Sequence, residues 1–454
     1  MNNSTLVMKF GGSLTADARA IRRLAQIVVA ESLAWRHMAV VVSAMSGTTD
    51  QLARAVNLAA DHDALGYRQI VAVVRAKHSA VIDQLFESLP IRVDLLRRLD
   101  RWLYEVLSIC DTVAARRESN ATPRERDAAL VVGERLVAEI VVALLHADHQ
   151  PTALIDSTAW LITDDHFQNA NPLTEAIEER IERVIRPALT AKLVVVTPGF
   201  VGTTPRGEPT TLGRGGSDYS ATLLAAALNA SEVWMWSGVD GIMSADPSLV
   251  PDAHVIDTLC YADIRELSYF GVRVLHPRAV EPLLPAGIPM RVRNPWSEHA
   301  GSLIRAQPGL PIHAVTAIDG LLLTTGQADI DLQEFLGQMA HLVGQSALGP
   351  VILAQSQTGS TLTFVVPTSE GPDAALLAAN KISAHLSGAL WSVQMVKVIA
   401  ALGMGTLGGN VPQAIALTEA PILAYGFGSG DRRIFAVAPE DAPFVIRQLH
   451  RLIL

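Results

Sequence analysis

Short apolar runs alternate with long stretches of helical periodicity through the first half of the chain, and this alternation restricts the possible folds most. Residues 6–10 and 39–43 are apolar runs of strand length, and 18–33 places apolar residues at helical spacing. From 50 to about 149 glycine is sparse, and Leu95, Leu96, Leu99, Leu103, Val106 and Leu107 recur at intervals that predict a largely helical segment. Strand-like runs return at 192–197 and 232–236, on either side of a glycine-rich stretch and a helix expected from about Tyr219 to Asn229. Strands joined by helices pair in parallel and are covered on both faces, so the pattern predicts an α/β fold on an open, mostly parallel sheet sandwiched by helices.

A chain of 454 residues exceeds what one hydrophobic core organises, which sets an expectation of roughly two to four domains. The character changes after Asn294, where Pro295, Pro308 and Pro311 mark a linker, and a second domain is expected near Ile312. Beyond it, strands are predicted at 313–325, 351–355, 361–366, 394–401, 422–427 and 433–438, with helices at 332–343, 374–386, 412–419 and 443–454. Two ferredoxin-like βαββαβ units of about 70 residues account for that order.

The net charge of −9 provides no basic field for nucleic acid or an anionic membrane, so the expected partner is a small molecule. Cys110 and Cys260 are too few for a disulfide framework or a cysteine-rich zinc site, and no metal ligand is assigned. No basic leader precedes an apolar run at the N-terminus, and no apolar run of about 18 residues occurs despite a mean hydropathy of +0.28. A cytoplasmic protein is the expectation.

Two glycine-rich loops could carry chemistry. The run KFGGS at 9–13 ends the first strand: it is either a tight turn or a loop whose amides and adjacent lysine approach a phosphate. The run TLGRGGSD at 211–218 places arginine, serine and aspartate at the start of a helix. Arg214 could grip a carboxylate with paired hydrogen bonds, and Asp218 is either a plain N-cap or an organiser of cations around phosphates. A Walker A loop and the protein-kinase signatures are missing. The run GMGTLG at 403–408 spells a dinucleotide fingerprint, but Pro412 interrupts the helix it would open and Ala424 and Tyr425 stand where an acidic residue is needed.

The segments KFGGS at 9–13, VVSAMSG at 41–47, GERL at 133–136, GRGGSD at 213–218, SGVDGIMSADP at 237–247 and ELSYFGVRVLHP at 266–277 occur in the order found in aspartate kinases, and the chain resembles that family nearly end to end. The resemblance implies an amino-acid kinase fold over residues 1–305, followed over 312–454 by a regulatory region of two ACT modules, the first inserted in the second. It implies transfer of the ATP γ-phosphoryl to the side-chain carboxylate of L-aspartate, with Mg²⁺ on the nucleotide, feedback by an amino-acid effector, and a homodimer or higher homo-oligomer. By its length the chain is expected to lack a fused homoserine dehydrogenase.

Carried over by motif, Lys9 and Asp218 are catalytic, and Lys9, Gly11, Gly12 and Ser13 hold the phosphates. Ser43, Thr49, Glu134, Phe200, Arg214 and Ser217 line the aspartate pocket, with Glu134 on the substrate ammonium and Arg214 on its α-carboxylate. Ser237, Gly238, Met243, Ser248 and Arg273 fall on the nucleotide side. Four of these depart from the family: Gly238 replaces the usual aspartate, Met243 an aromatic, Ser248 an arginine and Arg273 a lysine. Two rival readings follow, a kinase for another amino acid and a non-catalytic amino-acid sensor with altered nucleotide loops.

Overall fold

The computed structural model describes residues 4–116, 120–271, 277–307, 312–325, 351–355, 362–368, 376, 380, 381, 384, 391–403, 421–427 and 432–453. The chain divides into two compact units, Met1–Gly241 with Leu275–Ala306, and Ile242–Val274 with Gln307–Leu454.

Strands in the first part of the chain are β1 (Thr5–Phe10), β2 (His37–Val42), β3 (Thr152–Leu154), β4 (Val194–Pro198), β5 (Val201–Thr203), β6 (Pro209–Thr211), β7 (Glu232–Trp236), β8 (Thr258–Cys260), β9 (Met290–Arg293) and β10 (Ser302–Arg305). Of these, β8 belongs to the second unit. The main sheet of the first unit runs β3-β4-β2-β1-β7-β9-β10, parallel except where β10 returns antiparallel to β9. A separate hairpin joins β5 to β6.

Register is what makes a site of this sheet. Phe10 stands opposite Val42 and Trp236, and Val42 opposite Pro198, so β1, β2, β4 and β7 end level with one another. The loops that follow them open at one edge, the carboxyl edge where open parallel sheets bind ligands. Strand periodicity then sorts the faces: Leu6, Met8 and Phe10 join the main core, and Lys9 points to the opposite face. Phe10 also stacks on Trp236, and the Arg293 guanidinium lies 4.8 Å over the Trp236 ring, which braces the ends of β1 and β7.

The helices are α1 (Ala18–Glu31), α2 (Thr48–Ala60), α3 (Ala64–Leu85), α4 (Leu89–Ala114), α5 (Pro123–Leu130), α6 (Val132–Ala147), α7 (Thr174–Thr190), α8 (Gly216–Leu228) and α9 (Tyr261–Tyr269). α1 and α6 bury their apolar faces on the sheet around Ile21, Leu24, Val137 and Val141, each such side chain stabilising the fold by about 1.5–3 kcal/mol. α7 and α8 pack on the opposite face, against β4 and β1. The segment expected to be helical holds α2 to α6, with a core of its own around Leu52, Val74, Leu99, Leu103 and Val106. α8 begins at Gly216, earlier than the expected Tyr219, because Gly215 at φ 71° starts the helix in a left-handed conformation that costs glycine little.

In the second unit β11 (Ala314–Thr325), β12 (Val351–Gln355), β13 (Leu362–Thr368), β14 (Trp391–Leu402), β15 (Ile422–Phe427) and β16 (Arg433–Val437) form an antiparallel sheet in the order β12-β13-β11-β14-β16-β15. Every strand predicted there is present, and the sheet with α10 (Ala442–Ile453) is that of two ferredoxin-like ACT modules. The helices expected at 332–343 and 412–419, most of the one at 374–386, and the run after Gly403 lie outside the described residues.

Residues 242–274 join this unit through their own contacts. Ser244 accepts a hydrogen bond from the Val315 amide at 2.8 Å, and Val250 is buried with Val315, Ile399, Phe435 and Leu449. The Ser244 hydroxyl also lies between His254 Nδ1 (3.2 Å) and His450 Nε2 (2.9 Å). Among the described residues no helix is long and apolar enough to cross a membrane.

Candidate active site

The loops after β1, β2 and β4, with the N-terminal turns of α2, α6 and α8, enclose a cleft of about 360 Å³. Eight of the expected residues line it: Lys9, Gly12, Ser43, Thr49, Glu134, Phe200, Ser217 and Asp218. They come from segments far apart in sequence, and the common edge of the strands is what brings them together.

Lys9 Nζ and Asp218 Oδ1 form an ion pair at 2.5 Å, with side chains only 12% and 16% exposed. The pair crosses from the end of β1 to the first turn of α8, so Asp218 acts on the lysine and is not the N-cap; Gly215 holds that position. Gly47 at φ 75° caps α2 in the same left-handed way. Two helix N-termini therefore meet the cleft, each with backbone amides and a positive dipole end that favour anions.

Glu134 supplies the opposite charge. It sits in the first turn of α6, 4% exposed, and burial pushes its carboxyl up to about 8 against the opposing effects of the Ala44 amide, its own amide and Lys9. Its Oε2 has no hydrogen-bond partner among the described residues. A buried carboxyl with an unpartnered oxygen is costly to ionise, and a cation bound beside it would favour the ionised form.

Phe200 closes one wall. Its φ of 67° is unusual for a bulky residue and costs on the order of 1–3 kcal/mol. The conformation is held because its amide donates to Ser220 Oγ at 2.9 Å and its carbonyl accepts from the Leu212 amide at 3.1 Å. Glycine is required beside it: a Cβ on Gly216 would lie 2.7 Å from the Phe200 ring.

The remaining expected residues are placed around the cleft or away from it. Gly11 donates its amide to the Trp236 carbonyl, and Ser13 is exposed in the turn Gly12–Leu14. Ser237 donates its amide to the Arg293 carbonyl at 2.9 Å, and Gly238 faces Ser13, whose Oγ would lie 3.8 Å from a Cβ there. Ser13, Ser237 and Gly238 thus gather at the ends of β1 and β7, beside the cleft. Arg214 is exposed, between the left-handed Gly213 and Gly215, and is not among the residues that line the cleft. Met243 pairs with Val255 and Ser248 with Asp246, all in the second unit. Arg273 lies outside the described residues.

Three residues were missed by sequence reasoning. Asp50 lines the cleft from the start of α2. Lys77 of α3 donates to the Ser46 carbonyl at 2.5 Å and braces the loop after β2. Asp127 is fully buried behind the glycine-rich loop. Only the position of Asp50 just after the Ser43 to Gly47 run carried a local signal.

The cleft holds a lysine paired with an aspartate, two anion-favouring helix ends and a buried carboxyl with an unpartnered oxygen, which suits a substrate bearing both a cation and anions near a phosphoryl donor. Among the described residues there is no group of three or more His, Cys, Asp or Glu side chains that could hold a metal ion.

Comparison with known proteins agrees with this chemistry. Residues 4–294 match the model of the amino acid kinase family. The chain is 29% identical over 461 residues to lysine-sensitive aspartokinase 3 of Escherichia coli, covering 98% of both chains. It is 30% identical over 324 residues to a bifunctional aspartokinase/homoserine dehydrogenase of Haemophilus influenzae, covering 68% of this chain and 39% of that one. Across several bifunctional relatives the chain spans between 39% and 50% of their length. Its fold is similar to that of E. coli aspartokinase III in complex with aspartate and ADP, with a TM-score of 0.79, 26% identity and 99% coverage of both chains. With the family model covering β1 to β9 and every residue of the cleft, the chain belongs to the amino acid kinase family.

Proposed function

We propose that the chain is an aspartate kinase, transferring the γ-phosphoryl of ATP to the side-chain carboxylate of L-aspartate to give 4-phospho-L-aspartate and ADP. The observation that carries this reading is Glu134, a buried acid with one unpartnered oxygen in the cleft that also holds the Lys9–Asp218 pair. The substrate ammonium fills that position, and Ser43, Thr49 and Ser217 supply hydroxyls around the rest of the molecule. Arg214, at the outer lip, is assigned to the α-carboxylate and turns inward when it binds.

The nucleophile needs no general base, because an aspartate side chain with a reference pKa of about 3.9 is already ionised near neutrality. The work of the protein is to hold two anions in line. Lys9, steadied by Asp218, neutralises charge on the transferring phosphoryl, and the amide of Gly12 with the N-terminus of α8 adds fixed positive dipoles, while Gly11, its amide held by the Trp236 carbonyl, shapes the turn. Mg²⁺ bound to the nucleotide supplies further positive charge on the phosphates. Ser13, Ser237 and Gly238 are assigned to the nucleotide side, together with Met243, Ser248 and Arg273 by motif alone.

The same proposal includes an amino-acid effector at the ACT modules, the first inserted in the second, a homodimer or higher oligomer, and a cytoplasmic address. The similarity to a lysine-sensitive aspartokinase supports the effector. The reading is tested by coupled ADP release with Mg-ATP, comparing L-aspartate with L-glutamate and including Arg214→Ala. Aspartate-dependent turnover reduced by about 10- to 100-fold in the variant is expected, the loss of a charge-assisted pair. No turnover by the folded wild-type chain would favour the amino-acid sensor instead.

A further inference from the structure

Asp127 stands where three segments of the first unit meet. The sequence Thr122 to Glu125 sets a capping box that starts α5: Glu125 donates its amide to Thr122 Oγ1, and the Thr122 amide donates to Glu125 Oε2 at 2.9 Å. The helix carries Asp127 into the interior, where it is fully buried. Its Oδ2 accepts from the Gln168 amide at 2.8 Å and the Thr211 amide at 2.9 Å, and its Oδ1 accepts from the Thr211 hydroxyl at 2.8 Å.

Both partners lead to the cleft. Thr211 opens the loop that runs through Gly213 to Asp218, and its carbonyl accepts from the Ala170 amide at 2.9 Å. Gln168 has φ 70°, a conformation that its amide bond to Asp127 helps to hold. Gln168 and Asn169 then lie directly against Gly213: a Cβ there would be 2.8 Å from Asn169 Oδ1 and 3.0 Å from the Gln168 carbonyl oxygen. The Gly213 carbonyl in turn accepts from the Gly216 amide at 3.0 Å, at the start of α8. A continuous run of contacts therefore joins Asp127 to the turn that presents Ser217 and Asp218.

We infer that Asp127 is a positioning residue that fixes the 211–218 loop in register with Lys9, through the geometry of its two acceptor oxygens. It touches neither the cleft nor the reacting groups. An asparagine whose oxygen takes the Oδ2 position still accepts from both amides, and its NH₂ donates to the Thr211 hydroxyl, which is able to accept. Alanine leaves the buried amide and hydroxyl of Thr211 without this partner and frees the part-buried amide of Gln168.

The test compares Asp127→Ala, Asp127→Asn and Thr211→Val by amide hydrogen exchange over 164–171 and 209–218, and by aspartate-dependent ADP release. The activity arm rests on the aspartate-kinase reading; the exchange arm needs no substrate. If wild-type turnover is absent, that reading fails and exchange alone decides the role of Asp127. Alanine is expected to speed exchange in both segments at least tenfold and to lower kcat/KM for aspartate by about 10- to 100-fold, as misplacement of a catalytic loop does. KM for ATP is expected to change less. Asparagine is expected to restore slow exchange and at least a third of wild-type kcat/KM. Should the alanine variant fail to fold, Thr211→Val, which removes a single bond, is expected to give an intermediate rise in exchange over 209–218. Unchanged exchange in a folded alanine variant, an asparagine variant as impaired as alanine, or no rise in Thr211→Val would each overturn the inference.

Discussion

Two buried carboxylates on consecutive helices, Asp127 on α5 and Glu134 on α6, have opposite surroundings. Asp127 accepts three hydrogen bonds and does not line the cleft, whereas Glu134 lines it with an Oε2 that has no partner among the described residues. Both pay the desolvation cost of burial, and burial raises the carboxyl of each. In Asp127 that cost is offset inside the fold, and the result is a fixed junction. In Glu134 it is left for a ligand to offset, and the result is a site.

The comparison breaks first at Glu134. Glu134→Gln is expected to lower kcat/KM for aspartate by about 10²- to 10³-fold, because it removes the charge that meets the ammonium while keeping the shape of the side chain. Steady-state kinetics with the melting temperature as control would show it. The stability of this variant is expected to match or exceed that of wild type, since glutamine is neutral in both states and needs no proton taken up on folding near neutrality.

Asp127→Ala is expected to do the reverse in stability. Three donors lose a charged acceptor, and urea unfolding should show a loss of about 2–5 kcal/mol. Equal stability losses in Asp127→Ala and Glu134→Gln would erase the distinction drawn between them.

The pH dependence sharpens it further. Glu134 titrates near 8 in the free folded protein and near 4.5 when unfolded, so between those values the folded state binds the extra proton. Its contribution to stability is full below about 4.5 and declines as pH rises through about 8. On the proposed assignment of Glu134 to the substrate ammonium, aspartate binding needs the ionised form, so KM for aspartate should fall as pH rises toward 8, by up to about tenfold per unit. Glu134→Gln should flatten that profile. The smallest effect is expected from Lys77→Met, which loses one bond to the Ser46 carbonyl and should raise KM for aspartate less than about tenfold.

What was legible in the sequence was local. The apolar runs of β1, β2, β4 and β7, the glycines that turn into the cleft, and the charged residues Lys9, Glu134 and Asp218 all announce themselves by pattern or motif. Asp127 gave no such signal, because its partners are set by long-range packing: Gln168 and Thr211 lie 41 and 84 residues away in sequence. The allegiance of residues 242–274 was hidden for the same reason, since Ser244 finds Val315 and His450 across great sequence distance. Arg214 is the converse case, a residue whose motif was plain but whose exposed side chain no local rule orients.

The most direct measurement is calorimetric titration of L-aspartate at pH 7 in two buffers of different ionisation enthalpy, with wild type and Glu134→Gln. If Glu134 waits protonated for the substrate ammonium, the wild type should release close to one proton, roughly 0.9, on binding, and the variant should bind weakly with none released. Tight binding without proton release, or the same release from both proteins, would contradict the account.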